Sequence, residues 1–217
     1  PMGVHEDAAG KVWISYYQGL ARFDPATGET RRWSAQDQVD AALPSERAWL
    51  AEDSEGTLWI ASELEGVQLR DAEGQVVDSV LPDDRRGLAT GSAIRQIGTG
   101  PDGAMWIAGS QGLLQWNAGD HRFEPVPGAP HAMVYGYALG ANGQVWLAQF
   151  GALQSYRWQG AELAWQGRFD RTQGLPDLAP NGLTIDGAGV VWLTSVRGLI
   201  RFDPADESSR IYGVLDG

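Results

Sequence analysis

The sequence contains no cysteine, few basic residues and no long apolar run. Without cysteine it has no disulfide, no thiolate metal ligand and no cysteine nucleophile. Its 16 Lys and Arg against 28 Asp and Glu give a formal net charge of -12, which opposes binding to phosphate backbones and anionic lipid. No apolar stretch reaches the roughly 18 residues of a membrane-spanning helix. We therefore expect a globular domain with no nucleic-acid partner and no direct insertion into a membrane.

Five tryptophans divide the chain into repeats of about 45 residues. They are Trp13, Trp59, Trp106, Trp146 and Trp192, and a glycine stands three residues before each. In three repeats an aspartate stands six residues before the tryptophan: Asp7, Asp53 and Asp186. Glycine adopts positive φ, and a short Asp side chain hydrogen-bonds nearby backbone amides. Each of these tracts therefore predicts a tight β-hairpin turn.

The strand that carries each tryptophan is apolar on both faces. Apolar residues flank the tryptophan, as Leu58 and Ile60 flank Trp59, and a small residue such as Ala61 follows two positions after it. A sheet with one solvated face would alternate apolar and polar residues. We therefore expect both faces of every tryptophan strand to be buried between neighbouring sheets.

A third and a fourth strand follow in each repeat. The third starts at a glycine, such as Gly19 or Gly198, and a turn such as Asp24-Pro25 leads to the fourth. Four strands per repeat are typical of a propeller blade. We predict an all-β fold, a β-propeller of five four-stranded antiparallel blades in a single domain over residues 1–217. The predicted blades lie near 1–35, 46–81, 92–126, 132–170 and 181–215. A helical solenoid is the rival architecture, but 29 glycines and 11 prolines leave little room for helices.

The second repeat reads Glu52-Asp53-Ser54-Glu55-Gly56-Thr57-Leu58-Trp59-Ile60-Ala61-Ser62, followed by Gly66-Val67. It resembles the two-component-regulator propeller repeat, whose pattern is Asp-x-x-Gly-x-x-Trp-x-x-Thr-x-x-Gly-Leu. The resemblance covers all five repeats, although in the third and fourth the turn aspartate moves and the Thr position holds Gly109 and Gln149. The resemblance implies a periplasmic sensor module of a bacterial membrane signalling protein, ahead of an output domain such as a histidine kinase or a diguanylate cyclase.

The end of the chain, Tyr212-Gly213-Val214-Leu215-Asp216-Gly217, resembles the opening of a further connector between blades. We therefore predict that the chain is a segment of a larger propeller, with a closed five-bladed ring as the alternative. In an open arrangement the first and last blades would expose apolar faces. Such faces favour a homodimer or other packing between copies.

Carboxylates and histidines are the residues that could support metal binding or catalysis. The turn aspartates occur one per blade, too far apart to converge on calcium, and bonding to turn amides accounts for them. The histidines His5, His121 and His131 lack metal-ligand spacing, and no serine lies in a nucleophile-elbow motif. We therefore expect no catalytic residues, no metal and no cofactor.

The loops between the second and third strands vary most among the repeats, and binding residues tend to lie on loops held by a rigid scaffold. These loops carry eight candidate contacts to a small-molecule or peptide ligand: Tyr16, Tyr17, Glu63, Glu65, Gln111, Gln149, Phe150 and Arg197. The alternative interpretation, a solvated loop residue, is favoured for any single one of them. Two other functions remain open. One is a propeller lyase similar to virginiamycin B lyase, which shares Gly-x-x-Trp repeats, and the other is a protein-interaction scaffold.

Overall fold

The computed structural model describes residues 3–17, 19–34, 47–83 and 85–213. Within them, twenty strands form five four-stranded antiparallel sheets, which we call blades 1 to 5, and in each blade the strands lie in chain order. Blade 1 contains β1 (Gly3–Glu6), β2 (Val12–Tyr16), β3 (Gly19–Phe23) and β4 (Thr30–Ser34), and blade 2 contains β5 (Ala48–Glu52), β6 (Leu58–Ser62), β7 (Gly66–Arg70) and β8 (Val76–Val80). Blade 3 contains β9 (Ile94–Thr99), β10 (Met105–Gly109), β11 (Gly112–Asn117) and β12 (Arg122–Pro125). Blade 4 contains β13 (Gly136–Leu139), β14 (Gln144–Gln149), β15 (Ala152–Trp158) and β16 (Leu163–Phe169), and blade 5 contains β17 (Gly182–Ile185), β18 (Val191–Ser195), β19 (Gly198–Asp203) and β20 (Ser208–Tyr212).

This architecture confirms the predicted fold class, an all-β propeller of five four-stranded blades. The chain divides into two compact units, Pro1–Ile107 with Gln115–Glu124 and Ala108–Leu114 with Pro125–Gly217. Blades 1 and 2 belong to the first unit, blades 4 and 5 to the second, and the strands of blade 3 are divided between them. The predicted single domain and the choice between a segment and a closed ring stay predictions. The connector at residues 43–45 and the chain end at residues 214–217 lie outside the described residues.

The turn between the first and second strands depends on the glycine that precedes each tryptophan by three residues. In all five blades this glycine has φ between +74° and +85°, a region that residues with a Cβ rarely adopt. In blade 2 the Gly56 amide donates to the carbonyl of Asp53 at 3.1 Å and closes the turn. The repeated glycine is therefore explained by backbone conformation.

The glycine that opens the third strand has a second reason to be glycine. Gly198 has φ +117°, and a Cβ there would lie 2.1 Å from the carbonyl oxygen of Tyr212 on the neighbouring fourth strand. The same close approach to backbone occurs at Gly66 and Gly112. A side chain at Gly66 or Gly198 would push the third and fourth strands apart, and one at Gly112 would displace the backbone of Pro130 in the connector after β12.

Burial of the tryptophan strands follows the prediction in the middle blades and departs from it at the outer ones. Every residue of β6 and β10 is buried, and so are the four central residues of β14. In blade 1, Val12 and Ile14 are only half-buried, and in blade 5 Thr194 is exposed. The expectation that both faces are always buried is therefore wrong for blades 1 and 5, because each of these blades has one face open to solvent.

Blades 1 and 2 pack through unlike faces, and so do blades 4 and 5. Trp13, Leu20 and Trp33 of blade 1 form one core cluster with Ala48, Leu58 and Ile60 of blade 2. In the second unit, Trp146, Ala148 and Leu153 of blade 4 cluster with four residues of blade 5: Val191, Leu193, Ile200 and Phe202. The tryptophan of one blade thus meets the residues that flank the tryptophan of the next, and this apolar contact stabilises neighbouring blades.

Arg86 anchors the connector that follows blade 2 by hydrogen bonds. Its guanidinium donates two hydrogen bonds to the Asp78 carboxylate, at 2.8 and 2.6 Å, one to the carbonyl of Ser79 and one to the carbonyl of His121. It also lies 5.3 Å above the ring of Trp116. These hydrogen bonds from Arg86 hold the pKa of Asp78 below its usual range.

This pKa shift predicts a loss of stability in acid. Because the folded-state pKa of Asp78 is depressed, its ionised carboxylate stabilises the fold above the unfolded pKa, and that contribution is lost as the pH falls through the folded pKa. We expect Asp78→Asn to lower the free energy of unfolding at pH 7 and to change it less at pH 3, measured by urea denaturation. Equal losses at the two pH values would contradict a role for the charge.

Candidate functional site

The turn aspartates bind both the backbone and the tryptophan of their own repeat. In blade 2, Asp53 Oδ1 accepts from the amides of Glu55 and Thr57, at 3.0 and 2.9 Å, and Oδ2 accepts from Trp59 Nε1 at 2.7 Å. Blades 1 and 5 repeat this arrangement, with Oδ2 to Nε1 distances of 2.8 Å in both. The amide contacts were expected from the turn pattern, whereas the bond to the indole was not.

The indole of Trp192 affects the pKa of Asp186. The hydrogen bond from Trp192, together with those from the amides of Val190 and Ala188, holds the pKa of this carboxyl below its usual range. The carboxylate is therefore ionised at neutral pH and serves as an acceptor for three donors. The turn aspartates thus have a structural role.

Blades 3 and 4 lack this carboxylate because Gly100 and Gly140 occupy its position. A Cβ at Gly100 would lie 2.3 Å from the indole ring of Trp106, so the ring packs directly on the turn backbone. In blade 4, Trp146 Nε1 is buried and has no hydrogen-bond acceptor within the described ranges. The indole of Trp146 is thus held by packing.

Histidines and carboxylates do not gather into a metal-binding set. Within the part of the chain that the structure describes, no group of three or more His, Cys, Asp or Glu is placed to hold a metal ion. His5 Nε2 lies 3.6 Å from Glu52, His121 contacts the edge of Trp116, and His131 is exposed. The three histidines therefore lie in three different settings.

The four candidate ligand contacts in the first unit fall into two classes. Tyr16 is half-buried and its hydroxyl donates to the carbonyl of Trp33, Glu63 forms an ion pair with Arg95 at 2.8 Å, and Glu65 accepts from the Ser62 hydroxyl. These contacts hold the loops in place. Tyr17, in contrast, extends into solvent at the tip of its turn.

The other four candidates lie in the second unit. Gln149 donates to the carbonyl of Met133 and accepts from Gln154 Nε2 at 2.5 Å, and Gln154 in turn accepts from the Tyr156 hydroxyl at 2.8 Å. This chain of hydrogen bonds runs from the turn into the blade, where burial raises the pKa of Tyr156. Gln111 is half-buried, and Phe150 and Arg197 are exposed. A role for any of the eight candidates in ligand binding stays a prediction.

The turns between the second and third strands share a feature that appears when they are aligned on their tryptophans. The turn between the second and third strands exposes a large apolar side chain four or five residues after the tryptophan in four blades, with exposed fractions from 47% to 86%: Tyr17, Leu64, Phe150 and Val196. We call these residues the apolar tips. Blade 3 has Ser110 at this place. The signal is present in the register of the repeat, but a prediction restricted to aromatic and polar loop residues leaves out the aliphatic Leu64 and Val196.

Two cavities lie near opposite ends of the blades. In the second unit, a cavity of about 20 Å³, roughly one water molecule in size, is lined by Gln149, Leu153, Leu178 and Leu193 near the tip of blade 4. In the first unit, an open cleft of about 410 Å³ lies between the first turns of blades 1 and 2. Its lining includes five carboxylates: Asp7, Glu52, Glu55, Asp71 and Glu73. Asp7 and Glu52 already accept hydrogen bonds from Trp13 and from the Ala8 amide.

Comparisons with known proteins support the fold. No protein-family model matches the sequence, and no curated protein matches it. Virginiamycin B lyase from Staphylococcus aureus is similar in structure, with a TM-score of 0.73 and 16% identity over 100% of this chain and 71% of the lyase. A catalytically inactive histidine-to-alanine variant of that lyase has been solved with quinupristin.

Two other similar structures have different functions. The extracellular domain of a hybrid two-component system from B. thetaiotaomicron has a TM-score of 0.69 and 17% identity over 96% of this chain and 29% of that domain. A gluconolactonase from Xanthomonas campestris has a TM-score of 0.62 and 16% identity over 95% of this chain and 73% of the enzyme. At these identities the likeness establishes the propeller fold alone. No helix within the described ranges is long and apolar enough to span a bilayer.

Proposed function

We propose that the chain is a non-catalytic ligand-sensing propeller of a bacterial membrane signalling protein, of the two-component or cyclic-di-GMP type, and that it lies in the periplasm. The observation that carries the proposal is the set of apolar tips at equivalent turns. Large apolar residues on the surface of a rigid scaffold are typical of binding surfaces. The similarity to extracellular domains of two-component systems supports the same reading.

The chemistry of the tips suggests the class of ligand. Tyr17 and Phe150 offer aromatic faces, and Leu64 and Val196 offer aliphatic contacts. The net charge of -12 opposes anionic ligands at long range. A peptide or small molecule with an apolar group and no net negative charge therefore fits the apolar tips of either unit best.

Binding measurements on tip variants test the proposal. A library of neutral and cationic peptides and small molecules is screened by thermal shift, and each ligand found is measured by calorimetry. We expect Tyr17→Ala combined with Phe150→Ala to weaken binding at least about tenfold, which corresponds to about 1.4 kcal/mol. Trp165 is also an exposed aromatic but lies on β16, away from the turns, so Trp165→Ala is the matched control. Equal affinities of the double variant and the wild type would contradict a role for the tips.

A lyase is the second candidate because virginiamycin B lyase is similar over the whole chain. Quinupristin, which occurs with that lyase in a solved structure, is the appropriate probe. Incubation with this protein and divalent metal, followed by mass spectrometry, should return quinupristin unchanged. Conversion of quinupristin at a rate that scales with protein concentration would contradict the non-catalytic proposal and support a lyase activity.

A further inference from the structure

The connector between blades 4 and 5 packs against the tip of blade 4. The amide of Gly151, the residue after Phe150, donates to the carbonyl of Leu178 in this connector at 3.0 Å. The Leu178 amide in turn donates to the carbonyl of Pro176 at 2.9 Å, and Pro180 is buried. Because proline fixes its own φ, the two prolines restrict the shape of this segment. The tip of blade 4 therefore has a preformed wall beside it.

The water-sized cavity of the second unit lies between this connector and blades 4 and 5. Of the described residues around it, Gln149 alone has a polar side chain, and its amide is already engaged by the Met133 carbonyl and by Gln154. The apolar part of the lining includes Leu153, Leu175, Leu178, Leu193 and Ile200. A water needs about two to four polar partners in such a space, whereas a methyl group needs none. The cavity therefore suits a methyl group better than a water.

A carboxylate lies at the rim of this cavity. Asp177 is exposed and stands between Pro176 and Leu178, which both line the cavity. A Cβ at Gly151 would lie 2.7 Å from Asp177 Oδ1, so the carboxylate lies directly against the backbone that follows Phe150. Within residues 85–213 and the other described ranges, the Asp177 carboxylate has no hydrogen-bond donor and no cationic partner. It is therefore available to a positively charged group of a ligand.

The apolar tip of blade 4 adjoins the same opening. Phe150 is 59% exposed and stands between Gln149 and Gly151, which both line the cavity. An aromatic ring attracts an ammonium group electrostatically, as a carboxylate does. The net charge of -12 also favours the approach of a cation. An apolar cavity, an anionic group and an aromatic ring thus occur together within the second unit.

We propose that this cavity and its rim form a subsite for a primary ammonium group on a short unbranched alkyl chain. The terminal methyl group of the chain enters the cavity, and the ammonium group pairs with Asp177 beside Phe150. The inference rests on the proposed function, because Phe150 is one of the apolar tips. It narrows the ligand at this tip from one without net negative charge to an alkylamine.

Titration with n-butylamine and with 1-butanol, followed by amide chemical shifts in two-dimensional NMR, is the first measurement. At pH 7 the amine is protonated, since its pKa is close to the value of about 10.4 for lysine. The alcohol has the same chain and no charge. We expect n-butylamine to bind about threefold more tightly, within the range of an exposed ion pair, and to shift the amides of Gly151 and Leu178. Binding of tert-butylamine, which has the same charge but is too wide for the cavity, should be weaker than that of n-butylamine.

Asp177→Asn removes the charge at the rim and keeps the shape of the side chain. It should lower the affinity for n-butylamine about threefold, to the level of 1-butanol, and leave the affinity for 1-butanol unchanged. Glu162 is an exposed carboxylate in the hairpin between β15 and β16, at the opposite end of β15 from Phe150. Glu162→Gln therefore causes the same change in net charge away from the cavity and should bind both probes like the wild type. Circular dichroism confirms that each variant is folded.

Equal affinities of the wild type for n-butylamine and 1-butanol would overturn the inference. So would an unchanged affinity of Asp177→Asn for n-butylamine, or chemical-shift changes confined to another surface. These results are distinct from a failure of the proposed function. Library ligands that lose affinity when Tyr17 and Phe150 are replaced, but not in Asp177→Asn, would overturn the subsite alone. Ligands that are indifferent to all of these changes would contradict the role of the apolar tips as well.

Discussion

Replacing Trp106 by alanine should lower the free energy of unfolding by about 3 to 5 kcal/mol, the usual cost of removing a fully buried tryptophan. Trp106 is completely buried, and every residue of its strand is buried with it. Its ring packs so closely on the turn that a Cβ at Gly100 would overlap it. The space left by the indole cannot be refilled by neighbours held in a hydrogen-bonded sheet, so the cavity term adds to the lost transfer free energy.

Urea denaturation followed by circular dichroism measures this loss. Trp165→Ala is the matched control, because Trp165 is 54% exposed on the outer strand of blade 4 and its removal should cost less than about 1 kcal/mol. A loss below about 1 kcal/mol for Trp106→Ala would contradict the packing of blade 3.

Replacing Asp53 by alanine should cost about 2 to 4 kcal/mol, because three donors lose their acceptor at once. Two of them are turn amides, which water can partly satisfy. The third is the indole N–H of Trp59, which is buried and would be left without the carboxylate that it contacts at 2.7 Å. When a buried donor has no partner, the free-energy cost of removing it from water is not compensated.

Asp102→Ala is the natural control for Asp53→Ala. Asp102 also lies at the first turn of its blade, and its carboxylate accepts from the Ala104 amide at 3.1 Å. Each variant therefore loses side-chain bonding to turn amides, whereas only Asp53→Ala loses the contact to an indole. We expect Asp102→Ala to cost about 1 kcal/mol or less in thermal or urea denaturation. Equal losses for the two variants would assign the effect of Asp53 to the turn alone.

The features that repeat along the chain could be predicted from the sequence, because each is a local requirement of the backbone. The glycine before each tryptophan is at positive φ in every blade, and so is the glycine that opens the third strand at Gly66, Gly112 and Gly198; this restriction depends on a few neighbouring residues. The apolar pattern of the tryptophan strand likewise has a period set by β geometry. Five copies of these signals in one register predicted the blades correctly.

Features that depend on the contact between blades could not be predicted in the same way. The tryptophan strands of blades 1 and 5 have the same pattern as those of blades 2 to 4, yet Ile14 is half-buried where Ile60 is fully buried. Burial of such a residue is decided by what lies across from it, which the repeat itself does not encode. The bond from Asp53 to Trp59 was missed for a related reason, since a spacing of six residues across a turn has no fixed side-chain geometry.

The predicted ligand contacts show a third limit. Tyr16, Glu63 and Gln149 were selected as loop residues with binding chemistry, and the structure engages them with the carbonyl of Trp33, with Arg95 and with Gln154. A polar or aromatic residue in a loop can stabilise the loop itself as readily as it can bind a ligand. Position within the aligned turn separates Tyr17 and Phe150 from the rest, because side chains at the tip have the fewest neighbours.

The adjacent residues Glu52 and Asp53 bear on how such a molecule changes its length over evolution. Asp53 closes the hairpin of its own blade, and Glu52 bonds to the hairpin of the blade before it. Two adjacent residues therefore provide both a contact within the hairpin of their own blade and a contact to the preceding blade. A duplication of the gene segment for such a repeat copies both residues together, so a new blade arrives with its own attachment and needs no compensating change elsewhere.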